Sequence, residues 1–229
     1  MIHPNVIATL AIVLAAGGRA QGQEHDKHLP VLEEDVVPFR VPVGDDFEAV
    51  LFRNYRFLTD KTGAFVPHQP NPQLRPYDPK KIGSTDMIWL RVDVENPHSV
   101  EKTFYFYHGD RALEIFNVYF PDSAGRYTLV KRSGAFLRLA QRAVPSVLLA
   151  IPVTLAPNQS QTLWVQLRNP VGGTGAIIDV LSPLAHQKLE TTTFIYFSLF
   201  YGGLIIMLLF NLFMGSALKT NRPCSIRFF

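Results

Sequence analysis

The stretch Met87-Ile88-Trp89-Leu90-Arg91-Val92-Asp93-Val94-Glu95 alternates strictly, with Ile88, Leu90, Val92 and Val94 on one face of an extended chain and Trp89, Arg91, Asp93 and Glu95 on the other. This period of two predicts a half-buried strand of an antiparallel sheet. The split recurs at 162–168, where Leu163, Val165 and Leu167 face one way and Thr162, Trp164, Gln166 and Arg168 the other. The two tryptophans of the chain therefore both fall on polar strand faces.

Working outward, candidate strands also lie at 49–57, 103–108, 114–120, 127–130, 147–154 and 176–181. Asn96-Pro97, Pro121-Asp122 with Gly125, Pro157-Asn158 and Gly172-Gly173 supply the turns between them. No helical period runs longer than a few turns in this region, so the expected fold class is mainly β, an antiparallel β-sandwich. Pro67, Pro70, Pro72, Pro76 and Pro79 make 64–83 an extended loop that covers one end of the sandwich, since proline removes donors and fixes φ. A short helix at 183–189 is expected to join the last strand to the apolar C-terminal run.

The two ends are apolar. An N-terminal run from Val6 to Ala16 suits the hydrophobic region of a signal peptide and is too short to cross a bilayer. From Phe194 to Leu218 no charged residue occurs, and at about 1.5 Å per residue that run crosses a hydrocarbon core of roughly 30 Å as a helix. Its lack of a polar face argues for a lipid partner over burial in a small domain. Ser198, Gly202, Gly203 and Asn211 are its candidates for packing against another helix.

The formal charge of +3 over 229 residues equals the contribution of Lys219, Arg222 and Arg227, in a tail without acidic residues. The remainder is neutral, so the pI of about 9.0 is no sign of a nucleic-acid surface. The same charges put the C-terminus in the cytoplasm by the positive-inside rule. The expected order is a signal peptide at 1–20, a linker at 21–44, the exported sandwich at 45–183, a connector at 184–193, the span at 194–218 and a basic cytoplasmic tail at 219–229.

Signatures of catalysis are missing: there is no G-x-S-x-G, H-E-x-x-H or phosphate-binding loop, and no enzyme is expected. The lone Cys224 permits neither an intrachain disulfide nor a cysteine zinc site, and His25-Asp26-Lys27-His28 reads as a chain end, so no metal or cofactor is expected. What stands out is Trp89, Arg91, Asp93, Glu95, Trp164 and Arg168, aromatic rings among carboxylates and guanidinium groups. Such a face can stack on a sugar ring and hydrogen-bond its hydroxyls. The same residues equally suit two indoles packed under a loop with Arg91 paired to Asp93 or Glu95.

The order of features resembles the N-terminal part of bacterial seven-transmembrane receptors with diverse intracellular signalling modules, including their type 2 extracellular domain. It rests on Tyr55-Arg56-Phe57-Leu58-Thr59-Asp60-Lys61-Thr62-Gly63, Gly83 ahead of Ile88-Trp89-Leu90-Arg91, and Asn96-Pro97. Ile115 to Phe120 with Pro121-Asp122, Gly125 and Tyr127, the Pro157 to Ser160 turn and the 162–168 strand continue it. Phe200-Tyr201-Gly202-Gly203 with Leu208, Asn211 and Leu212 is similar to the first span of such a receptor.

The resemblance implies a jelly-roll sandwich, similar to carbohydrate-binding modules, that senses a periplasmic ligand from the bacterial inner membrane. Expected partners are the lipid bilayer, a carbohydrate or other small molecule, and a second copy of the chain. The alternative is a membrane-anchored interaction or dimerisation module without a small-molecule ligand. After Leu218-Lys219 the family continues into a second span, whereas here Thr220 to Phe229 come next, so a receptor truncated after its first span is expected. A shifted reading frame, gene decay or a chosen cut would each produce it.

Overall fold

The computed structural model describes residues 37–51, 54–67, 74, 87–170 and 175–220. The N-terminal run expected to be a signal peptide, the His25 to His28 cluster, most of the proline-rich loop, the expected Gly172-Gly173 turn and the tail from Asn221 lie outside them.

Among the described residues ten strands form two sheets: β1 (Phe39–Arg40), β2 (Glu48–Leu51), β3 (Tyr55–Asp60), β4 (Met87–Glu95), β5 (Lys102–His108), β6 (Ile115–Pro121), β7 (Tyr127–Ser133), β8 (Leu149–Leu155), β9 (Ser160–Arg168) and β10 (Ile178–Leu181). One sheet runs β1-β4-β9-β6-β7, with β3 also paired to β4, and the other runs β2-β10-β5-β8. All pairings are antiparallel except the two-residue contact of β1 with β4. The arrangement is a β-sandwich, and its strand order is compatible with a jelly roll.

Alternation decides the core. Ile88, Leu90, Val92, Leu163, Val165, Leu167, Phe116 and Val118 of the six-stranded sheet are fully buried, against Phe104, Phe106, Ile151, Val153, Ile178 and Val180 of the other. Each such side chain contributes about 1.5–3 kcal/mol on burial. His108 shares this inner position on β5: its Nδ1 accepts the Asp110 N–H at 3.1 Å and its Nε2 meets the Gly175 carbonyl at 2.8 Å. That pair of partners selects the neutral Nε2–H tautomer, and burial accordingly lowers its pKa.

Two expectations change. The run at 49–57 is two strands in different sheets, because the chain crosses the sandwich between Leu51 and Tyr55. Leu51 and Tyr55 are both buried, so the apolar alternation passes through the crossing without a visible break. The short helix and the apolar run are likewise one helix, α1 (Pro183–Thr220), of about 57 Å at 1.5 Å per residue.

The start of α1 is fixed by its sequence. Ser182 caps it, its Oγ accepting the Ala185 N–H at 3.0 Å and the Phe47 N–H at 3.2 Å, and Pro183 takes the first helical position. His186 stacks on Tyr105 of β5 at 4.3 Å, Lys188 pairs with Asp46, and the Arg111 guanidinium lies 5.1 Å over the Phe197 ring. Beyond Thr193 the apolar side chains Phe194, Ile195, Leu199, Ile205, Leu209 and Phe213 are exposed, as on a helix whose partner is lipid. Ser198, Gly203 and Asn211 are exposed and Gly202 is half-buried. At about 100° per residue Ser198 and Gly202 share a face, while Gly203 and Asn211 turn away from it.

Candidate functional site

Hydrogen-bond register assembles the outer face of the six-stranded sheet from distant segments. Trp89 of β4 stands opposite Gln166 of β9, which stands opposite Asn117 of β6. In the next row Arg91 faces Trp164, and Trp164 faces Tyr119. On the other side of β4, Leu58 and Arg56 of β3 face Trp89 and Arg91. Odd-numbered positions of β4 and even-numbered positions of β9 thus build one surface.

Four aromatic rings share that surface. Trp89 lies 5.2 Å from Tyr119, and Tyr127 meets Trp164 edge-on at 6.5 Å. Phe65 lies 5.2 Å from both Trp89 and Trp164, roofing the pair. The indoles are only 2% and 4% exposed, although they occupy the outer side of the sheet. They are packed under Phe65, a side chain from the start of the loop at 64–83, most of which lies outside the described residues.

The polar groups are arranged around a single amide. Gln166 Oε1 accepts from Asn117 Nδ2 at 2.8 Å and from the Tyr119 hydroxyl at 3.0 Å, while Nε2 meets Met87 Sδ at 2.8 Å. Thioether sulfur is a weak acceptor, so that amide N–H is poorly satisfied. Trp89 Nε1 and Arg91 Nε are buried without a hydrogen-bond partner among the described residues. The unmet capacity of this face is all donor. Burial raises the Tyr119 and Tyr127 phenols above their ordinary range, so both stay neutral at physiological pH.

Of the six residues expected to form a site, four come together. Trp89, Arg91, Trp164 and Asp93 are neighbours, with Arg91 Nη2 3.6 Å from Asp93 Oδ1 and the Thr162 hydroxyl donating to that oxygen at 2.5 Å. Glu95 sits at the strand end, where its carboxylate accepts from Arg40 Nε at 2.9 Å. Arg168 is at the opposite end, 3.6 Å from Glu114. Sequence reasoning missed Phe65, Asn117 and Tyr119. The alternation of β6 carried a signal for the last two, since Asn117 and Tyr119 face away from Phe116 and Val118.

Phe65 is placed by a turn built on Asp60. Asp60 Oδ1 accepts the Thr62 N–H and hydroxyl, both at 3.0 Å, and the Gly63 N–H at 2.8 Å; Oδ2 accepts the Phe65 N–H at 2.9 Å. Gly63 takes φ +71°, which the turn requires. Burial pushes the Asp60 carboxyl up, but these donors outweigh it and hold its pKa below the usual value. A depressed folded pKa means stabilisation present above the unfolded value of about 4 and lost as pH falls through the folded one. The stability gap between wild type and Asp60→Asn, measured by denaturant titration, is therefore expected to be constant above about pH 5 and to shrink below about pH 4.

Among the described residues no group of three or more His, Cys, Asp or Glu is placed to hold a metal ion. A family model described as 7TMR-DISM extracellular 2 matches residues 52–174, more than half of the chain. No curated protein matches it. The matched segment carries β3 through β9, and one helix long and apolar enough to span a membrane comes after it. The chain therefore belongs to the 7TMR-DISM extracellular 2 family, the extracellular sensory domains of seven-transmembrane receptors.

Proposed function

We propose that the sandwich binds a carbohydrate or similar small molecule on the outer face of its six-stranded sheet and reports occupancy through α1. The observation that carries this reading is the conjunction of two indoles with buried, unpartnered donors at Trp89 Nε1 and Arg91 Nε. Native proteins satisfy most buried polar groups, and donors left open beside an aromatic surface are groups that a ligand can complete. The domain stands in the periplasm of a bacterial inner membrane, with the basic tail in the cytoplasm. Lys219, Arg222 and Arg227 support that orientation, as Lys188 is neutralised by Asp46 on the domain side. No covalent chemistry is proposed at this face.

The test is a glycan panel read by thermal shift on the full chain in lipid nanodiscs. A hit is expected to raise the melting temperature by several degrees and to bind Arg91→Gln about tenfold more weakly, the worth of one hydrogen bond to a charged group. Arg91 is partly exposed, so this variant keeps its fold where Trp89→Ala risks it. No shift with any glycan, or hits indifferent to Arg91→Gln, would reject the reading. A specific protein adduct through the Trp89 face in membranes would favour a docking module in its place.

A further inference from the structure

Indoles that are 2% and 4% exposed cannot stack on a ligand while their roof is closed. Among the described residues one ring, that of Phe65, approaches both Trp89 and Trp164, at 5.2 Å each, and it is itself only half-buried. Core phenylalanines such as Phe104 and Phe106 are fully enclosed, so Phe65 is differently held.

Its anchorage is also narrow. Lys61, Thr62, Gly63, Ala64 and Val66 are exposed, and a Cβ placed on Gly63 would meet nothing within 4 Å. Four hydrogen bonds of this turn end on the Asp60 carboxylate, and a fifth, from the Ala64 N–H to Thr62 Oγ1 at 3.3 Å, is internal to the turn. Loss of the carboxylate's grip loosens the segment between Asp60 and the buried Pro67 without breaking a strand pairing, because β3 ends at Asp60. On the sheet face that the ring approaches stand Trp89 Nε1, Arg91 Nε and the weakly bonded Gln166 amide, all donors lacking good acceptors among the described residues. A phenyl ring offers them none.

We infer that Phe65 is a removable plug latched by Asp60, and that the natural occupant is an acceptor-bearing, sugar-like ring that takes its place against Trp89 and Trp164. This rests on the reading of the face as the sensing site. The plug then sets affinity: the competent state is populated only when the ring is out, and apparent binding is weakened by that fraction. Binding also pulls the 61–66 segment off the sheet, which turns occupancy into a movement of the chain.

The experiment uses the full chain in nanodiscs with acrylamide as the probe. Because Trp89 and Trp164 are the chain's two tryptophans, emission reads this surface alone. Phe65→Ala is expected to raise the acrylamide quenching constant several-fold and shift emission to the red, with a melting temperature within a few degrees of wild type. In wild type, amides of 61–66 are expected to exchange at least about 100-fold faster than those of β4 and β9, through local opening. Any glycan hit should bind Phe65→Ala more tightly.

Unchanged quenching, or protection of 61–66 equal to that of β4, would overturn the plug. Should Phe65→Ala fail to fold, the ring is a core element and the plug is likewise overturned, unless Asp60→Asn accelerates exchange in 61–66 with β4 unaffected. The two readings fail separately. An opening plug with no glycan hit removes the sugar and keeps the device; a glycan hit indifferent to Phe65→Ala, over a protected 61–66, keeps the sugar and removes the device.

Discussion

Asn96→Asp is expected to leave the sandwich unfolded at room temperature, as seen by loss of the cooperative β-sheet transition. Asn96 is fully buried at the end of β4. Its Nδ2 donates to the carbonyls of Val100, Leu155 and Ala156 at 2.9, 3.2 and 2.8 Å, and its Oδ1 accepts the His98 N–H at 3.1 Å. One amide thus ties the β4–β5 turn to the β8–β9 turn, and two backbone bonds, Asn96 N to Gln159 O at 2.8 Å and Asn158 N to His98 O at 3.0 Å, close the same corner.

Aspartate keeps the shape and replaces the donor by an acceptor aimed at three carbonyl oxygens. It must then ionise against those dipoles or take up a proton that satisfies one of the three. Breaking a buried pairing in this way costs about 3–5 kcal/mol, comparable to the whole stability of a marginal domain. Asn96→Ala removes the bonds without adding the repulsion and should cost about 3 kcal/mol. An aspartate variant as stable as the alanine one would show that the corner does not depend on the amide donor.

How much of this fold is legible in the sequence depends on the range of the information. β4 is legible to the residue, since nine alternating positions encode both its length and its faces. The membrane helix is equally clear as an apolar run, and only its fusion with the preceding helical segment is not. What alternation cannot encode is which strand lies next to which. The crossing between β2 and β3 is invisible because both sides of it are buried, and β1 is two residues whose pairing with β4 comes from tertiary contact.

The site divides along the same line. Trp89, Arg91 and Trp164 are assignable to polar faces from local pattern, and the structure brings them together. The burial of the two indoles is not assignable, because Phe65, which packs on both, approaches from outside either strand. Gln166 is visible as a polar-face residue, yet its position between Asn117 and Tyr119 depends on a register set by the core. The roles of Asn96 and Gly134 are also long-range, being set by contacts with separate segments of the chain.

Gly134→Ala is the second large effect. Gly134 follows β7 with φ +152°, and a Cβ built on it would lie 2.2 Å from the Glu114 carbonyl oxygen and 3.1 Å from its carbon. Backbone cannot swing aside as a side-chain tip can. Glu114 is itself held, its N–H donating to Arg168 O at 2.8 Å, and the Ala135 N–H donates to Leu113 O at 2.8 Å. Relief of the clash must therefore move the start of β6 away from either β7 or β9. The expected cost is about 3 kcal/mol or more, a fall of roughly 10 °C in melting temperature for a domain of this size. Gly125→Ala is the matched control: φ is +74°, nothing lies within 4 Å of the added Cβ, and the cost is the conformational one alone, about 1–2 kcal/mol. The difference between the two variants isolates the clash. Because β6 carries Asn117 and Tyr119 to the tryptophan surface, Gly134→Ala should also alter tryptophan emission in whatever fraction stays folded, whereas Gly125→Ala, in the β6–β7 turn, should leave it unchanged. Equal losses in the two variants would mean that the close approach at Gly134 contributes nothing to the register on which the site depends.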